Sequence, residues 1–481
     1  MDKAQGVYTK NLTPPIRDRG SFRDPSGFVY HIGDEVFRAI DASCLSLVRR
    51  LERSGVLQRL ERSGIVIPTR VVNREEHVHA TLRRHIPQFD QFLQHERVPF
   101  VSYPYEWSTS MLADAAVCCL DLQLLLMENG YSLKDASAYN VQFTGGRPVF
   151  IDVPSIEKVR RRNVWTALHQ FYRMFLYPLL MVRHHRCSLK EYFLSNLDGA
   201  DLDEMYRRFG FFSAMRPSLW MDVWLPYQLQ RFISHNGCNL KSAVEQDHAD
   251  TQPLVLNLNR LKRKVQSLGS HPASSGRWLD YAKDNSYDEA QVTRKDSFVT
   301  GFLDRYRPER VLDVGCNTGR FAELAAGRGS AVVAVDADAA CIDGLYRRSR
   351  DNGWDILPLV MDIANPSPGI GFKNTERTSF MDRSSFDCVL ALALLHHLLV
   401  TARLPLESIR DLFADLTTSH LITEFVDPSD PMFICLLGAR RNIYEHVSFG
   451  SFLAVFQDRF DVVSQAQLSE HRILVSFKRR S

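Results

Sequence analysis

The clearest hydrophobic pattern in the chain is an apolar run that leads through a glycine turn into positions at helical spacing. Residues 310–319 read Arg-Val-Leu-Asp-Val-Gly-Cys-Asn-Thr-Gly. Val311, Leu312 and Val314 give the nearly continuous apolar run of a strand that is covered on both faces. Apolar residues then recur at helical spacing over 321–325. The pattern predicts a buried strand, a tight turn and a helix.

Strand-like and helix-like patterns alternate over the rest of the C-terminal half. The predicted strands are 331–335, 355–361, 386–394 and 420–425, and the predicted helices are 339–352 and 404–416. Two further apolar runs, 460–464 and 472–477, are close enough in sequence to pair as an antiparallel hairpin. Alternating strands and helices are typical of a doubly wound parallel sheet. We therefore predict a Rossmann-like α/β fold that finishes with an antiparallel hairpin.

The glycine turn after the first strand differs from a dinucleotide-binding turn. A dinucleotide fold uses G-x-G-x-x-G to accommodate a pyrophosphate, whereas this turn reads D-x-G-x-x-x-G, from Asp313 through Gly315 to Gly319. The two glycines let the backbone turn sharply and approach a ligand closely. Cys316 stands where a small residue is wanted, so we predict no catalytic thiol there. The spacing suits a ligand that carries a charged amino acid instead of phosphates.

Acidic residues stand at the ends of three successive predicted strands. Asp313 is the first, Asp336 follows 23 residues later, and Asp362 ends the third strand. In open α/β sheets, ligands bind in the crevice beyond the carboxyl ends of the strands, and an acid at the second strand end can accept both ribose hydroxyls. The three carboxylates are therefore expected to converge on one nucleoside site.

The glycine turn and the three acids together resemble the motifs of the class I S-adenosylmethionine-dependent methyltransferases. The resemblance implies that S-adenosyl-L-methionine is the cofactor. In the family, the acid that corresponds to Asp362 accepts a hydrogen bond from the adenine amine, and the next residue, here Ile363, packs against the ring. The residues that the resemblance assigns to the cofactor are Asp313, Gly315, Cys316, Asn317, Gly319, Asp336, Asp362 and Ile363.

Methyl transfer from a sulfonium needs an acceptor atom held in line with the methyl carbon and a base only where the acceptor is a hydroxyl. His396 and His397, just past the fourth predicted strand, are the candidate bases because imidazole titrates near neutrality. Alternatively, one of them packs or caps and the other is solvated. Glu424, Asp427 and Asp430 either order the acceptor or cap loops, and the second role is favoured. A cofactor-binding protein that regulates without turnover is the alternative to an enzyme.

The N-terminal half contains a hairpin signal beside polar residues at a distinctive spacing. A Gly145–Gly146 turn separates two apolar stretches, which indicates a hairpin. Asp135 precedes Asn140 by five residues, and Asp152 follows the hairpin. This order resembles the catalytic and metal-binding loops of kinase-like phosphotransferases. The resemblance implies a nucleotide site in which Asp135 is the catalytic aspartate and Asn140 and Asp152 are the metal ligands.

The same half departs from the kinase pattern in two respects. No lysine stands between Lys10 and Lys134, so the residue that steadies the phosphates is missing, and no glycine-rich loop precedes it. The alternative interpretation is a hairpin with ordinary acidic turn residues. On either interpretation this half is an α+β domain, and no metal site is predicted elsewhere.

Proline, glycine and serine gather at 271–276, which indicates a domain boundary. The following segment, with Trp278, Tyr281 and Tyr287, is expected to lie over the cofactor mouth, as comparable segments do in the methyltransferases. The predicted division is a flexible N-terminus over 1–19, the α+β domain over 20–240, a helical linker and lead-in over 241–290, and the methyltransferase domain over 291–481.

The composition limits which classes of partner and which compartment the sequence supports. Among the 481 residues, 59 Lys and Arg against 56 Asp and Glu leave a net charge of +3, which gives no specific nucleic-acid signal. The nine cysteines form no C-x-x-C pair, as in a reducing compartment. The start has no signal-peptide core, and no run of 18 apolar residues indicates a membrane span. We therefore expect a cytoplasmic protein, while no feature of the sequence indicates an oligomeric state.

The layout of the whole chain is similar to that of the methyltransferase-like host-specificity nodulation proteins of rhizobia. Large bacterial methyltransferases with an added N-terminal half often modify small molecules or glycans. The resemblance therefore implies a small-molecule or glycan acceptor, and it points toward a lipo-oligosaccharide nodulation signal.

Overall fold

The computed structural model describes residues 13–24, 27–159, 163–236, 250–270, 288–437, 444 and 446–480. Most of the predicted N-terminal segment 1–19 and the lead-in residues Trp278, Tyr281 and Tyr287 lie outside the described residues. Within them the chain forms an N-terminal α+β unit and a C-terminal α/β unit, as the sequence predicts. The boundaries of the predicted domains remain predictions.

The N-terminal unit begins with a five-stranded antiparallel sheet. Its strands are β1 (Ile16–Arg17), β2 (Gly27–Ile32), β3 (Glu35–Ile40), β4 (Thr69–Val71) and β5 (Gln91–His95), in the spatial order β1-β2-β3-β5-β4. Its helices are α1 (Ala42–Arg53), α2 (Val56–Arg62) and α3 (His77–His85). Phe37 and Phe92 pack with Leu82 of α3 in a small core. A sheet with a covering helix thus forms one lobe of this unit.

A mainly helical lobe with two short hairpins follows. Its elements are α4 (Thr109–Glu128), β6 (Tyr131–Leu133), β7 (Val141–Thr144), β8 (Arg147–Phe150), β9 (Ile156–Lys158), α5 (Leu168–Phe171), α6 (Tyr177–His185), α7 (Leu189–Ser195), α8 (Leu202–Ala214), α9 (Pro217–Leu219), α10 (Leu225–Asn236) and α11 (Gln252–Gly269), with π-helical turns at Tyr172–Leu176 and Trp220–Trp224. Strand β7 pairs with β8 across Gly145 and Gly146, whose φ values are 53° and 72°. The predicted glycine hairpin is therefore confirmed. A sheet lobe followed by this lobe agrees with the kinase-like fold that the spacing of polar residues suggests.

Two helices of this lobe fill its interior. The predicted linker includes α11, which packs against α4, and Leu258, Leu261 and Val265 of α11 are fully buried. Among the described helices only α4 is long and apolar enough to cross a membrane. Its apolar window is 67% buried inside the protein. Both helices thus serve as core helices of the N-terminal unit.

The C-terminal unit is built on a seven-stranded sheet. Its elements are α12 (Glu289–Tyr306), β10 (Arg310–Val314), α13 (Arg320–Ala326), β11 (Ala331–Asp336), α14 (Ala339–Asn352), β12 (Ile356–Val360), α15 (Phe380–Arg383), β13 (Phe386–Ala391), α16 (Leu395–Val400), α17 (Leu406–Leu416), β14 (Thr417–Val426), α18 (Pro431–Leu437), α19 (Phe449–Phe456), β15 (Phe460–Ser469) and β16 (Arg472–Arg479). The spatial order is β12-β11-β10-β13-β14-β16-β15. Strand β13 pairs with β14 in parallel, whereas β16 pairs antiparallel with both β14 and β15. The predicted parallel sheet with a final antiparallel hairpin is therefore confirmed.

Local signals fix the helix bounds well. Helix α14 spans the predicted range because Asp338 accepts the amide of Ala340 at its start and Gly353, at φ 68°, ends it.

The fourth strand is shorter than predicted. It ends at Ala391, since Ala393 takes a left-handed φ of 52° and the chain then enters α16. His396 and His397 accordingly lie on a helix.

The two units share one core. Residues alternate along the strands of the sheet, so that Val311 packs toward α12 and α13, while Leu312 packs into a core that continues through α4 of the N-terminal unit. Polar contacts also join the units, and among them the most buried ion pair is that between Arg383 and Glu106. The N-terminal unit is thereby fixed against one side of the α/β sheet.

Candidate cofactor and acceptor site

The glycine turn connects β10 to α13 at the carboxyl end of the sheet. The amide of Gly315 donates to the Val335 carbonyl at 2.9 Å, and the amide of Gly319 donates to the Cys316 carbonyl at 2.8 Å. Gly315 and Gly319 have φ values of 68° and 88°, and Asn317 between them has a φ of 48°. The left-handed region suits glycine and is tolerated by asparagine. The turn therefore keeps its backbone close to the edge of the sheet where a ligand would lie.

Gly319 is needed for packing as well as for its backbone conformation. A Cβ at this position would lie 2.4 Å from Leu345 Cδ1, inside the helix that follows β11. We expect Gly319→Ala to lower the free energy of unfolding by about 2 to 4 kcal/mol, since strain and overpacking add. Gly329→Ala is the matched control, because Gly329 has a φ of 89° and no atom within 4 Å of its Cβ position. Equal losses in urea unfolding of the two variants would contradict the packing argument.

Asp336 ends β11 with both carboxylate oxygens held in place. Oδ2 accepts the Asn317 amide and Oδ1 accepts the Asp338 amide, each at 2.8 Å. Burial raises the pKa of Asp336, and the backbone hydrogen bonds oppose that shift. A carboxylate offers about four acceptor positions, so these hydrogen bonds leave acceptor capacity for a ligand hydroxyl. The side chain is therefore held in one orientation at the strand end.

Asp313 lies deeper than Asp336. It is 2% exposed, and its Oδ2 accepts the Ala322 amide of α13 at 3.1 Å. Burial raises the pKa of Asp313 to about 7, and the Asp336 charge contributes to the same direction. The neighbouring Cys316 is also buried, and burial raises its thiol pKa well above the usual value, so the thiol stays protonated. Asp313 thus ties the turn to the first turn of α13 from beneath.

Asp362 and Ile363 follow β12 beside Asp336. The Met361 amide donates to the Asp336 carbonyl at 2.8 Å, which places the two strand ends side by side. Asp362 is exposed and accepts the Ala364 amide at 2.9 Å, whereas Ile363 is buried. The structure therefore brings together all the residues that the sequence assigns to the cofactor. Their contacts with a cofactor remain predictions.

A buried charge network closes the other side of the site. The ammonium of Lys295, on α12, lies 2.7 Å from Glu424 Oε2 at the end of β14. Arg472, on β16, lies 3.4 Å from Glu424 Oε1 and 2.8 Å from Asp430 Oδ2. Asp430 also accepts the Met432 amide at the start of α18. These side chains are almost fully buried, so each charge depends on its partners.

The three acids past the last parallel strand therefore have different surroundings. Asp427 accepts the amide and hydroxyl of Ser429 and caps its own loop. Asp430 combines a helix cap with its ion pair to Arg472. Glu424 caps no loop, because it lies inside β14 and is paired with two cations. Loop capping thus describes Asp427 and Asp430, and Glu424 belongs to the buried network.

The two histidines lie on the first turn of α16, beside that network. Their ring centroids are 4.3 Å apart. His396 is buried, its Nδ1 has no hydrogen-bond partner in the part of the chain that the structure describes, and burial lowers its pKa well below the usual value. His397 is only partly buried, and burial and the charge of Arg472 lower its pKa. Both rings are therefore neutral at pH 7 and available as proton acceptors on pKa grounds.

The N-terminal residues also come together. Burial raises the pKa of Asp135, Asp152 adds to that shift, and the amides of Gln170 and Asn140 oppose it. Arg38 on β3 lies within ion-pair distance of Asp152 and 3.0 Å from Asp24. A cation from β3 thus contacts the predicted metal ligand, although the sequence has no lysine there. A search for a lysine could not have revealed this cation, because Arg38 has the sequence pattern of an ordinary strand residue.

Comparisons with known proteins agree with this geometry. A family model described as a methyltransferase domain matches residues 287–429. The nodulation protein NoeA of Rhizobium meliloti (strain 1021) is 31% identical over 473 residues, which cover 97% of this chain and 96% of that protein. The chain belongs to the NoeA family of nodulation proteins. This member is a methyltransferase enzyme with S-adenosyl-L-methionine as its cofactor.

Solved structures with related folds are more distant from this NoeA-family chain. The N-methyltransferase NodS from Bradyrhizobium japonicum WM9 is 14% identical, with a TM-score of 0.31, and the match covers 40% of this chain and 99% of that one. The bifunctional kinase-methyltransferase WbdD is 17% identical, with a TM-score of 0.28, and the match covers 44% of this chain and 42% of that one.

Sequence reasoning missed the cations of the site in this NoeA-family member. Lys295 stands in an amphipathic helix and Arg472 in a hairpin strand, where either is an ordinary surface residue by pattern. Their partner Glu424 lies 129 residues from Lys295 and 48 from Arg472 in the chain. The available signal for these cations was Glu424 itself, because a charge in an apolar strand is costly unless it is paired.

Proposed function

We propose that this protein transfers the methyl group of S-adenosylmethionine to a small-molecule or glycan acceptor and so modifies a nodulation signal. The observation that carries the proposal is the Asp336 carboxylate at the end of β11, held in place by two backbone amides beside the glycine turn. The nodulation role is supported by the similarity to NoeA over nearly the whole chain. A lipo-oligosaccharide is the acceptor that best fits both arguments.

Each residue of the proposed site has a role that follows from its position. When bound, S-adenosylmethionine supplies a methyl group activated by the sulfonium. Asp336 would orient the ribose, Asp362 and Ile363 would flank the adenine, and the turn at Gly315 would let the backbone approach the cofactor closely. What remains for catalysis is to hold the acceptor atom in line with the methyl carbon and to exclude water.

His397 is the better placed of the two candidate bases. A hydroxyl acceptor loses its proton as the new bond forms, so a neutral imidazole within reach assists the step. His397 is neutral at pH 7 and partly exposed, whereas His396 is nearly enclosed beside Phe433. Protonation of His397 at lower pH would remove the base, so activity on a hydroxyl should fall as the pH decreases.

Transfer of a labelled methyl group tests the function directly. The full chain is incubated with methyl-labelled S-adenosylmethionine and with separated glycan, lipid and protein fractions, and with a purified lipo-oligosaccharide. We expect label in the glycan-containing material. Asp336→Ala should strongly reduce it at a cofactor concentration near the dissociation constant of the parent, while Glu470→Ala, which changes an exposed acid in the final hairpin, should not. Label confined to protein would contradict the acceptor class, and no transfer at all would favour a regulatory role.

A second candidate function is nucleotide binding by the N-terminal unit through Asp135, Asn140 and Asp152. The supporting observation is that the three side chains come together: burial and the Asp152 charge raise the pKa of Asp135, and the side-chain amide of Asn140 opposes that shift. A ligand that binds only the folded state must raise the melting temperature. We expect magnesium with ATP to do so, and Asp152→Asn to abolish the shift. No shift at millimolar nucleotide would reject this candidate.

A further inference from the structure

One surface of the N-terminal unit exposes apolar side chains far more densely than the rest of the protein. Seven of the sixteen exposed large apolar residues in the described chain fall within 211–232. The most prominent is Phe212, which is 87% exposed. We use the name 211–221 surface for the five of these that precede α10, namely Phe211, Phe212, Met215, Trp220 and Met221. Patches of this kind mark interaction sites on soluble proteins.

The backbone presents these side chains on a turn instead of in a groove. Gly210 takes a φ of 70° and a ψ of 167°, which breaks α8 just before Phe211. The chain then turns through α9 into the π-helical segment Trp220–Trp224, which packs against both α8 and α10. Phe211 and Phe212 contact each other edge to face at 5.4 Å. Convex aromatic side chains of this kind suit insertion into a soft layer better than docking to a flat protein.

Positively charged side chains lie next to the 211–221 surface. Arg183, Arg186 and Arg216 are exposed, and none has an ion pair among the residues that the structure describes. His184 connects them to the surface, because its ring lies 5.9 Å from that of Phe209 and its Nε2 lies 3.5 Å from Ser218 Oγ. The arginines therefore flank the apolar turn.

Nearby acids do not cancel this charge. Glu204 is paired with Arg208, and Asp222 is fully buried between Arg260 and Lys264. Asp203 lies at the other end of α8 from the turn. An apolar, aromatic-rich surface with a basic rim matches the two layers of an anionic lipid surface, acyl chains beneath and phosphates above.

We propose that the 211–221 surface docks this protein on an anionic lipid bilayer, with Phe211, Phe212 and Met221 in the acyl boundary and the arginines at the headgroups. The attachment is peripheral, since the inserted residues lie on a turn between helices. It does not depend on the acceptor of the methyl group. It would bring the enzyme to the surface where amphiphilic molecules with acyl chains accumulate.

Vesicle co-sedimentation of the full chain tests the proposal. We expect binding to vesicles of phosphatidylcholine mixed with phosphatidylglycerol, weaker binding to phosphatidylcholine alone, and a loss with added salt. The variant Phe211→Ser/Phe212→Ser should bind the mixed vesicles on the order of tenfold more weakly, because apolar area no longer leaves water. Arg216→Gln should weaken binding to the mixed vesicles only.

Two controls keep the result specific. Ile16→Ser changes an apolar residue that is 72% exposed on β1, far along the chain from the surface, and should bind as the parent does. Phe212→Leu should retain most of the binding. No binding of the parent to mixed vesicles, or equal binding of the double serine variant, would overturn the proposal. A dimer by light scattering that the double serine variant converts to a monomer, without vesicle binding, would assign the surface to a second copy instead and also overturn it.

Discussion

Asp336→Ala is expected to weaken S-adenosylmethionine binding by about 100-fold while the protein stays folded. Two hydroxyls that donate to a fixed carboxylate contribute roughly 1.5 kcal/mol or more each, which together amount to about two orders of magnitude in affinity. The carboxylate is already oriented by the amides of Asn317 and Asp338, so its ordering costs little when the ligand binds. Calorimetric titration with S-adenosylmethionine measures the effect.

Two other acidic residues provide the variants with which Asp336→Ala is compared. Asp362→Ala removes one expected hydrogen bond to the adenine amine and should cost about tenfold in affinity. Glu470→Ala removes an exposed carboxylate from the final hairpin and should leave affinity unchanged. If Asp336→Ala bound as tightly as the parent, the assignment of the site to this edge of the sheet would be wrong.

Arg383→Met is expected to destabilise the protein by about 3 to 5 kcal/mol. Arg383 is buried between the units, and its partner Glu106 is fully buried. Arg383 Nη1 lies 3.2 Å from Glu106 Oε2, and the guanidinium lies 4.6 Å from the centre of the Tyr103 ring. Removing one member of a buried ion pair leaves the other as an uncompensated charge. Urea unfolding followed by circular dichroism measures the loss.

The double variant separates the charge from the packing. Glu106→Gln combined with Arg383→Met should recover most of the loss, because no buried charge remains. Arg328→Met is the surface control, since Arg328 pairs with the exposed Asp304 and should change stability by less than about 1 kcal/mol. A cost for Arg383→Met as small as the control would show that this contact does not hold the units together.

That ion pair also bears on how the two halves work. Glu106 belongs to the segment between the sheet lobe and the helical lobe of the N-terminal unit, and its neighbour Tyr103 accepts a hydrogen bond from the Thr378 amide of the C-terminal unit. Thr378 follows the predicted adenine residues Asp362 and Ile363 along one connecting loop. The segment between the lobes of the N-terminal unit is thus attached to the loop that leaves the cofactor site.

Local patterns predicted the C-terminal fold because its determinants are close together in sequence. The apolar run 310–314, the two glycines of the turn and the acid at each strand end all act within a few residues of where they stand. The period of the hydrophobic residues distinguishes strand from helix, and Asp338 and Gly353 mark both ends of α14. The same reasoning failed at the end of the fourth strand, because the left-handed backbone at Ala393 has no local sequence signal.

The sequence by itself determined the order of strands and helices, the glycine turn, and the acids at the strand ends that are predicted to hold the nucleoside. Only the tertiary structure decided which charges meet: Lys295 with Glu424 across 129 residues, Arg38 with Asp152 across 114, and Arg383 with Glu106 across 277. Each of these residues by itself has the pattern of an ordinary polar position. Burial makes the pairs strong and costly to break, and burial depends on how distant elements pack, which no local period encodes.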